Sequence, residues 1–165
     1  AHEHSEVTPD LMTLAKPLAG GLPMGAVLMT EEVAGALWPG CHGTTFGGQP
    51  FVASVALRVL RSIMSGGFLP RVRRRGDHLA ARLQDLASPL VQQVRGVGLL
   101  VGLKLTVAPA RVARAALERG LLVVPAADNV LRLLPPLNVS VEDLDRAVEL
   151  LGEALAVVER EEDPK

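Results

Sequence analysis

Apolar and polar positions alternate between two periods along this chain, and the switches divide it into short strands and helices. After the turn signal Thr8-Pro9-Asp10, residues 11–15 form a compact apolar run that predicts a short buried strand. Residues 25–30 predict a second strand, and residues 31–37 a short helix with acids in its first turn. A loop from His42 to Gln49 follows. Pro50 suits the first turn of the next helix, predicted to reach about Ser65 with Val52, Val55, Ala56, Val59, Leu60 and Ile63 at helical spacing.

Gly66-Gly67 breaks this pattern and marks a boundary between residues 1–67 and 68–165. Beyond it the spacing predicts a helix over 69–86, strands over 91–95, 98–105, 121–125 and 130–134, and a helix over 109–119 stopped by Gly120. A final helix starts with Ser140 as N-cap, Asp143 standing three residues on, close to a capping box. Its buried stripe is Leu144, Val148, Leu151, Leu155 and Val158, and the charged stretch 159–165 is expected to fray. No internal repeat is visible. Residues 68–165 thus read as a self-contained α/β domain, and residues 1–67 as the end of a larger sheet domain.

Composition narrows the function classes. With 48% hydrophobic and 21% charged residues, the 165-residue chain is globular rather than disordered. A net charge of −1, with acids and bases interspersed, gives no nucleic-acid surface, and the run Arg71-Val72-Arg73-Arg74-Arg75 reads as a solvated helix face. No apolar stretch approaches the roughly 20 residues that span a bilayer. The single Cys41 fits a reducing compartment, and a cytoplasmic setting is expected. His2 and His4 alternate near the terminus and are expected in solvent rather than on a metal, since no ligand cluster accompanies them. The opening, without an initiator Met or a targeting pattern, reads as a cut through a longer polypeptide.

Three places could carry chemistry. Lys16 ends the first apolar run and opens a Gly/Pro-rich loop; only Lys104 and Lys165 are lysines besides it. An amine held still and partly removed from water loses its proton more readily and can condense with a carbonyl, whereas a surface lysine capping a strand does neither. Thr44 and Thr45 lie in a loop bounded by Gly43, Gly47 and Gly48, where hydroxyls and close backbone approach can hold a phosphate or simply make a turn. Arg132 interrupts the apolar run Val130-Leu131-Arg132-Leu133-Leu134. A guanidinium there needs a partner, either a structural acid or a substrate carboxylate gripped by two parallel hydrogen bonds. Arg95-Gly96-Val97-Gly98 is no dinucleotide fingerprint, because more strand follows it; strand kinking and close packing are the reading.

The order of these motifs is more specific than any one of them. Leu14-Ala15-Lys16 with Gly20-Gly21-Leu22-Pro23-Met24-Gly25, then His42-Gly43-Thr44-Thr45-Phe46-Gly47-Gly48, then Arg95-Gly96 with Gly98-Leu99, then Leu131-Arg132 with Pro135-Pro136-Leu137 resembles the class III pyridoxal-phosphate aminotransferases. Within them the acetylornithine type and its relatives in arginine and lysine biosynthesis are most similar. The resemblance implies the C-terminal part of the type I aminotransferase fold: the end of a large mixed-sheet domain plus a small α/β domain. It implies pyridoxal 5′-phosphate as cofactor, Lys16 as the Schiff-base lysine that also moves the proton, and Thr45, with Thr44 beside it, at the cofactor phosphate of a neighbouring subunit. Arg132 is then the arginine for the carboxylate of glutamate or 2-oxoglutarate, in a homodimer exchanging an ω-amino group such as that of N-acetylornithine.

Two departures accompany it. Pro17 follows the lysine where Gly is more usual, and is expected to keep Lys16 in extended backbone; Gln49 stands where Asn is common. The family's acid at the pyridine nitrogen, its stacking aromatic and its phosphate cup are expected ahead of Ala1, so these 165 residues alone should have little activity. Other donors within the family (ornithine, 4-aminobutyrate, an aminoadipate semialdehyde type), an aminomutase, or a non-catalytic interaction module are the alternatives.

Overall fold

The computed structural model describes residues 2–162 and divides into two compact units, Ala1–Phe68 and Leu69–Lys165. In the first, β1 (Leu11–Leu14) pairs antiparallel with β2 (Ala26–Met29), Leu11 opposite Met29 and Leu14 opposite Ala26. A 3-10 turn, Lys16–Leu18, leaves β1 directly. Thr30 caps α1 (Glu31–Ala34) by accepting a hydrogen bond from the Val33 amide, but the helix ends three residues before the predicted limit. Helix α2 (Pro50–Ile63) begins at Pro50 as the sequence requires.

The core of this unit is small. Leu18, Ala19 and Ala56 are buried, with Leu14, Met24, Val52 and Val55 packed around them. The predicted buried strand is not buried: Leu11 is 53% exposed, because a two-stranded sheet has little to cover its faces. Trp38, Phe46, Phe51 and Met64 are more exposed still.

The second unit has a proper core. Strands β3 (Val91–Val97), β4 (Leu100–Leu105), β5 (Val124–Ala126) and β6 (Val130–Leu133) form an antiparallel sheet in the order β3-β4-β6-β5. Val101, Leu103 and Leu105 of β4, with Leu131 and Leu133 of β6, face helices α3 (Phe68–Gln84), α4 (Pro109–Leu117) and α5 (Val141–Glu162). Leu79, Leu83, Val112, Leu144, Leu151 and Leu155 complete this layer. Alternation along β4 leaves Gly102 and Lys104 on the opposite face.

Local chemistry explains the ends. The Ser140 hydroxyl accepts from the Asp143 amide at 3.0 Å and donates to its carboxylate at 2.8 Å, the predicted cap. Gly120, at φ +83°, reverses the chain after α4, with Leu121 N–H on the Ala116 carbonyl. Gly98, at φ +57°, takes the first central position of the two-residue β3–β4 turn, so the hairpin folds two residues later than predicted. The stretch expected to fray stays helical through Glu162, where Glu161 and Glu162 pair with Arg111; residues 163–165 lie outside the described ones. Arg71, Arg73 and Arg74 are exposed along α3, as a solvated helix face requires.

Candidate active site

Lys16 stands where β1 gives way to the 3-10 turn, and its backbone differs from expectation. Its φ is +53°, in the left-handed region, rather than the extended geometry that Pro17 was expected to impose. Among the described non-glycine residues only Glu6, Asp128 and Asn129 share this sign, and Asp and Asn tolerate it far better than a lysine before a proline. Such a conformation costs on the order of 1–3 kcal/mol and persists only where surroundings over-determine it. Here the next residues supply the anchor: Leu18 and Ala19 are buried against Ala56 of α2, and the Gly20 amide donates to the Pro17 carbonyl at 3.0 Å. The lysine side chain itself is exposed, not partly withdrawn from water as the sequence suggested. Its backbone is fixed while its amine is free.

The Gly-rich loop is organised by Thr44. Its Oγ1 accepts from the Gly47 amide at 3.1 Å, and a Cβ at Gly47 would lie 2.0 Å from the Thr44 methyl. Gly47 thus leaves room for the Thr44 methyl in this rotamer and Gly48 supplies a φ of +68°, while Gly43 meets neither demand. Thr45 is exposed and its hydroxyl has no partner among the described residues. Of the two threonines, Thr44 shapes the loop and Thr45 keeps an uncommitted hydroxyl.

A cavity of about 390 Å³ opens beside this loop, lined by Met24, Thr44, Phe46, Gln49 and Val52 among others. Gln49 occupies the N-cap position of α2 without a side-chain capping bond, which leaves its amide available. Lys16 and Thr45 are not among the lining residues, so the structure does not gather the predicted site residues around this one cavity. The loop offers a free hydroxyl at Thr45 and a tight glycine backbone, groups whose chemistry suits a phosphate.

Arg132 lies in β6, opposite Gly102 of β4 and Val124 of β5. It is exposed, between buried Leu131 and Leu133, and pairs with no carboxylate among the described residues. Because it points away from the core, the burial that was to force a partner on it does not apply. The sequence reading missed the charges beside it. Arg95 of β3, opposite the other side of Gly102, and Lys104 both reach Asp128 in the β5–β6 turn. Both cations hold the Asp128 carboxyl below the usual range, Lys104 by its hydrogen bond above all. Alternation along β4 puts Lys104 on the face of Gly102, but it is the sheet register that brings Arg95 and Asp128 to it.

The family model "Aminotransferase class-III" matches residues 1–155. The mitochondrial acetylornithine aminotransferase of Alnus glutinosa is 47% identical over 163 residues, covering 97% of this chain and 36% of that protein. That of Rhodobacter capsulatus is 43% identical over 162 residues, covering 96% and 41%. The chain therefore spans about two fifths of the length of these relatives. Among solved structures, the acetylornithine aminotransferase of Elizabethkingia anophelis superposes with a TM-score of 0.86 at 32% identity, over 95% of this chain and 41% of that one. An ornithine aminotransferase of Toxoplasma gondii, with pyridoxal phosphate at partial occupancy in its active site, gives 0.88 at 31%, over 96% and 39%. Sequence and fold agree, and the mixed α/β units match this fold: the chain belongs to the class III aminotransferases.

Proposed function

We propose that this chain supplies the lysine, phosphate-loop and carboxylate-binding parts of a pyridoxal-phosphate-dependent transaminase. The donor is an ω-amine such as that of N-acetylornithine, and the acceptor is 2-oxoglutarate. The observation that carries this reading is Lys16: a lysine held in left-handed backbone by buried neighbours, at the place the family resemblance assigns to the Schiff base. The cofactor, when bound, supplies the electron sink. The protein's share is narrower. Lys16 is the residue that would hold the cofactor, through its Nζ, and the same amine would carry a proton at that atom. Thr45 donates its free hydroxyl to phosphate, which the family resemblance assigns to a second copy of the chain. Arg132 takes a substrate carboxylate with its fork of donors.

The family resemblance implies a homodimer, and the first unit has apolar surface to bury against further polypeptide, with Trp38, Phe46 and Phe51 67%, 82% and 68% accessible. These 165 residues alone are expected to turn over little substrate. The test is a chimera in which they replace the matching stretch of the Rhodobacter capsulatus relative. N-acetylornithine and 2-oxoglutarate should be converted, and Lys16→Ala should abolish conversion; a folded chimera without activity refutes the assignment.

A further inference from the structure

Lys16 keeps a backbone conformation that nothing of its own secures. Its φ of +53° is disfavoured for a lysine, the more so ahead of Pro17. Its exposed side chain makes no hydrogen bond or ion pair among the described residues. The restraint comes from the residues that follow. Leu18 and Ala19 share one buried cluster with Ala56 of α2; Ala19 is 0% and Ala56 3% exposed, so neither position has spare room. Backbone bonds hold the shape of the turn: the Leu18 amide donates to the Ala15 carbonyl, that of Gly20 to Pro17 and that of Leu22 to Ala19. Val59, three residues beyond Ala56, covers Gly20, its Cγ2 3.6 Å from where a Cβ would stand. Val52, Val55, Ala56 and Val59 recur at helical spacing and form one face of α2, on which the turn rests. Ala19 and Ala56 carry only a methyl each, which lets turn and helix approach closely. A longer side chain at position 56 has to push the turn away, because close-packed interiors hold no reserve of space.

We infer that Ala56 is a positioning residue for the Lys16 amine: by seating Leu18 and Ala19 it keeps Lys16 left-handed, and so sets the direction in which the side chain leaves the loop. The inference rests on Lys16 being the amine that takes the cofactor, and it deepens that reading by naming what aims the amine. With the seat lost, Pro17 draws Lys16 towards extended backbone. The Cα–Cβ bond then turns and carries the amine elsewhere.

The test uses the Rhodobacter capsulatus chimera, stripped of cofactor. Absorbance of the lysine-bound cofactor follows how fast pyridoxal phosphate is taken up, and crystal structures give φ at Lys16. Ala56→Val should slow uptake by about tenfold to a hundredfold, the effect of misplacing a reacting group by about 1 Å, and should move Lys16 to negative φ. Ala56→Ser adds a single heavy atom and should slow uptake by about threefold, a milder overpacking that keeps the question open to measurement if the valine variant does not fold. Adding Pro17→Gly to Ala56→Val removes the pull towards extended backbone and should return most of the rate. Val148→Ala, a loss of packing in the core of the other unit, should lower the melting temperature and leave uptake and φ at Lys16 as they were. Uptake and φ unchanged in a folded position-56 variant, an equal loss of uptake in Val148→Ala, or no recovery on adding Pro17→Gly would overturn the inference. Undiminished uptake in Lys16→Ala would instead refute the assignment of the cofactor to this lysine.

Discussion

The Gly47 amide donates to Thr44 Oγ1 at 3.1 Å, and any Cβ on Gly47 would run into the Thr44 methyl at 2.0 Å. Gly47→Ala should therefore force the exposed Thr44 side chain to turn and give up this hydrogen bond, destabilising the loop by about 0.5–1.5 kcal/mol. Thr44→Ser keeps the hydroxyl and removes the clashing methyl. The double variant Thr44→Ser/Gly47→Ala should recover most of the loss, and a urea-unfolding cycle checks this coupling. Simple additivity would show that the contact does not govern the loop.

A second glycine is demanded by close approach in the other unit. A Cβ on Gly76 of α3 would lie 2.5 Å from the carbonyl carbon of Gly98 in the β3–β4 turn. Backbone cannot rotate aside as a side chain can. Gly76→Ala should cost about 2 kcal/mol or more in urea unfolding, although alanine is the better helix former.

Acid should loosen the join between α3 and α5. Asp145 Oδ1 receives His78 Nε2 at 2.8 Å and Arg82 Nε at 2.9 Å, and these partners, His78 foremost, hold its carboxyl below the ordinary range. A carboxylate with a lowered folded pKa stabilises above its unfolded value, near 3.9, and that stabilisation is lost as pH falls through the lower folded value. Asp145→Asn should flatten this part of the profile of melting temperature between about pH 5 and pH 2, leaving the remaining carboxylates to set the slope.

Arg132 separates stability from binding. Exposed and without an ion pair, it should tolerate Arg132→Ala within about 0.5 kcal/mol of the parent in unfolding. Conversion of 2-oxoglutarate by the Rhodobacter capsulatus chimera should be lost in the same variant. A large stability loss would mean the arginine is structural.

Much of this architecture could be read from the chain because local chemistry and tertiary packing agree. Ser140 and Asp143 cap α5, Gly120 ends α4, Pro50 starts α2, and the stripe from Leu144 to Val158 is buried as its spacing requires. Disagreements arise where an element's surroundings, rather than its own sequence, decide. Leu11 reads as core, but in a two-stranded sheet it has nothing to cover it. Pro17 argues for extended backbone at Lys16, and the anchoring of Leu18 and Ala19 overrides it. Arg132 reads as buried among aliphatics, but strand alternation turns its neighbours Leu131 and Leu133 to the helices and leaves the arginine facing away. The cluster of Arg95, Lys104 and Asp128 joins residues from three separate segments, and only the sheet register brings them together.

Whether Lys16 is the amine that holds pyridoxal phosphate can be read directly. Borohydride reduction of the Rhodobacter chimera loaded with the cofactor, followed by peptide mass spectrometry, should place the pyridoxyl group on Lys16 and leave Lys104 and Lys165 unmodified. A folded chimera labelled elsewhere, or labelled to the same extent after Lys16→Ala, would contradict the account.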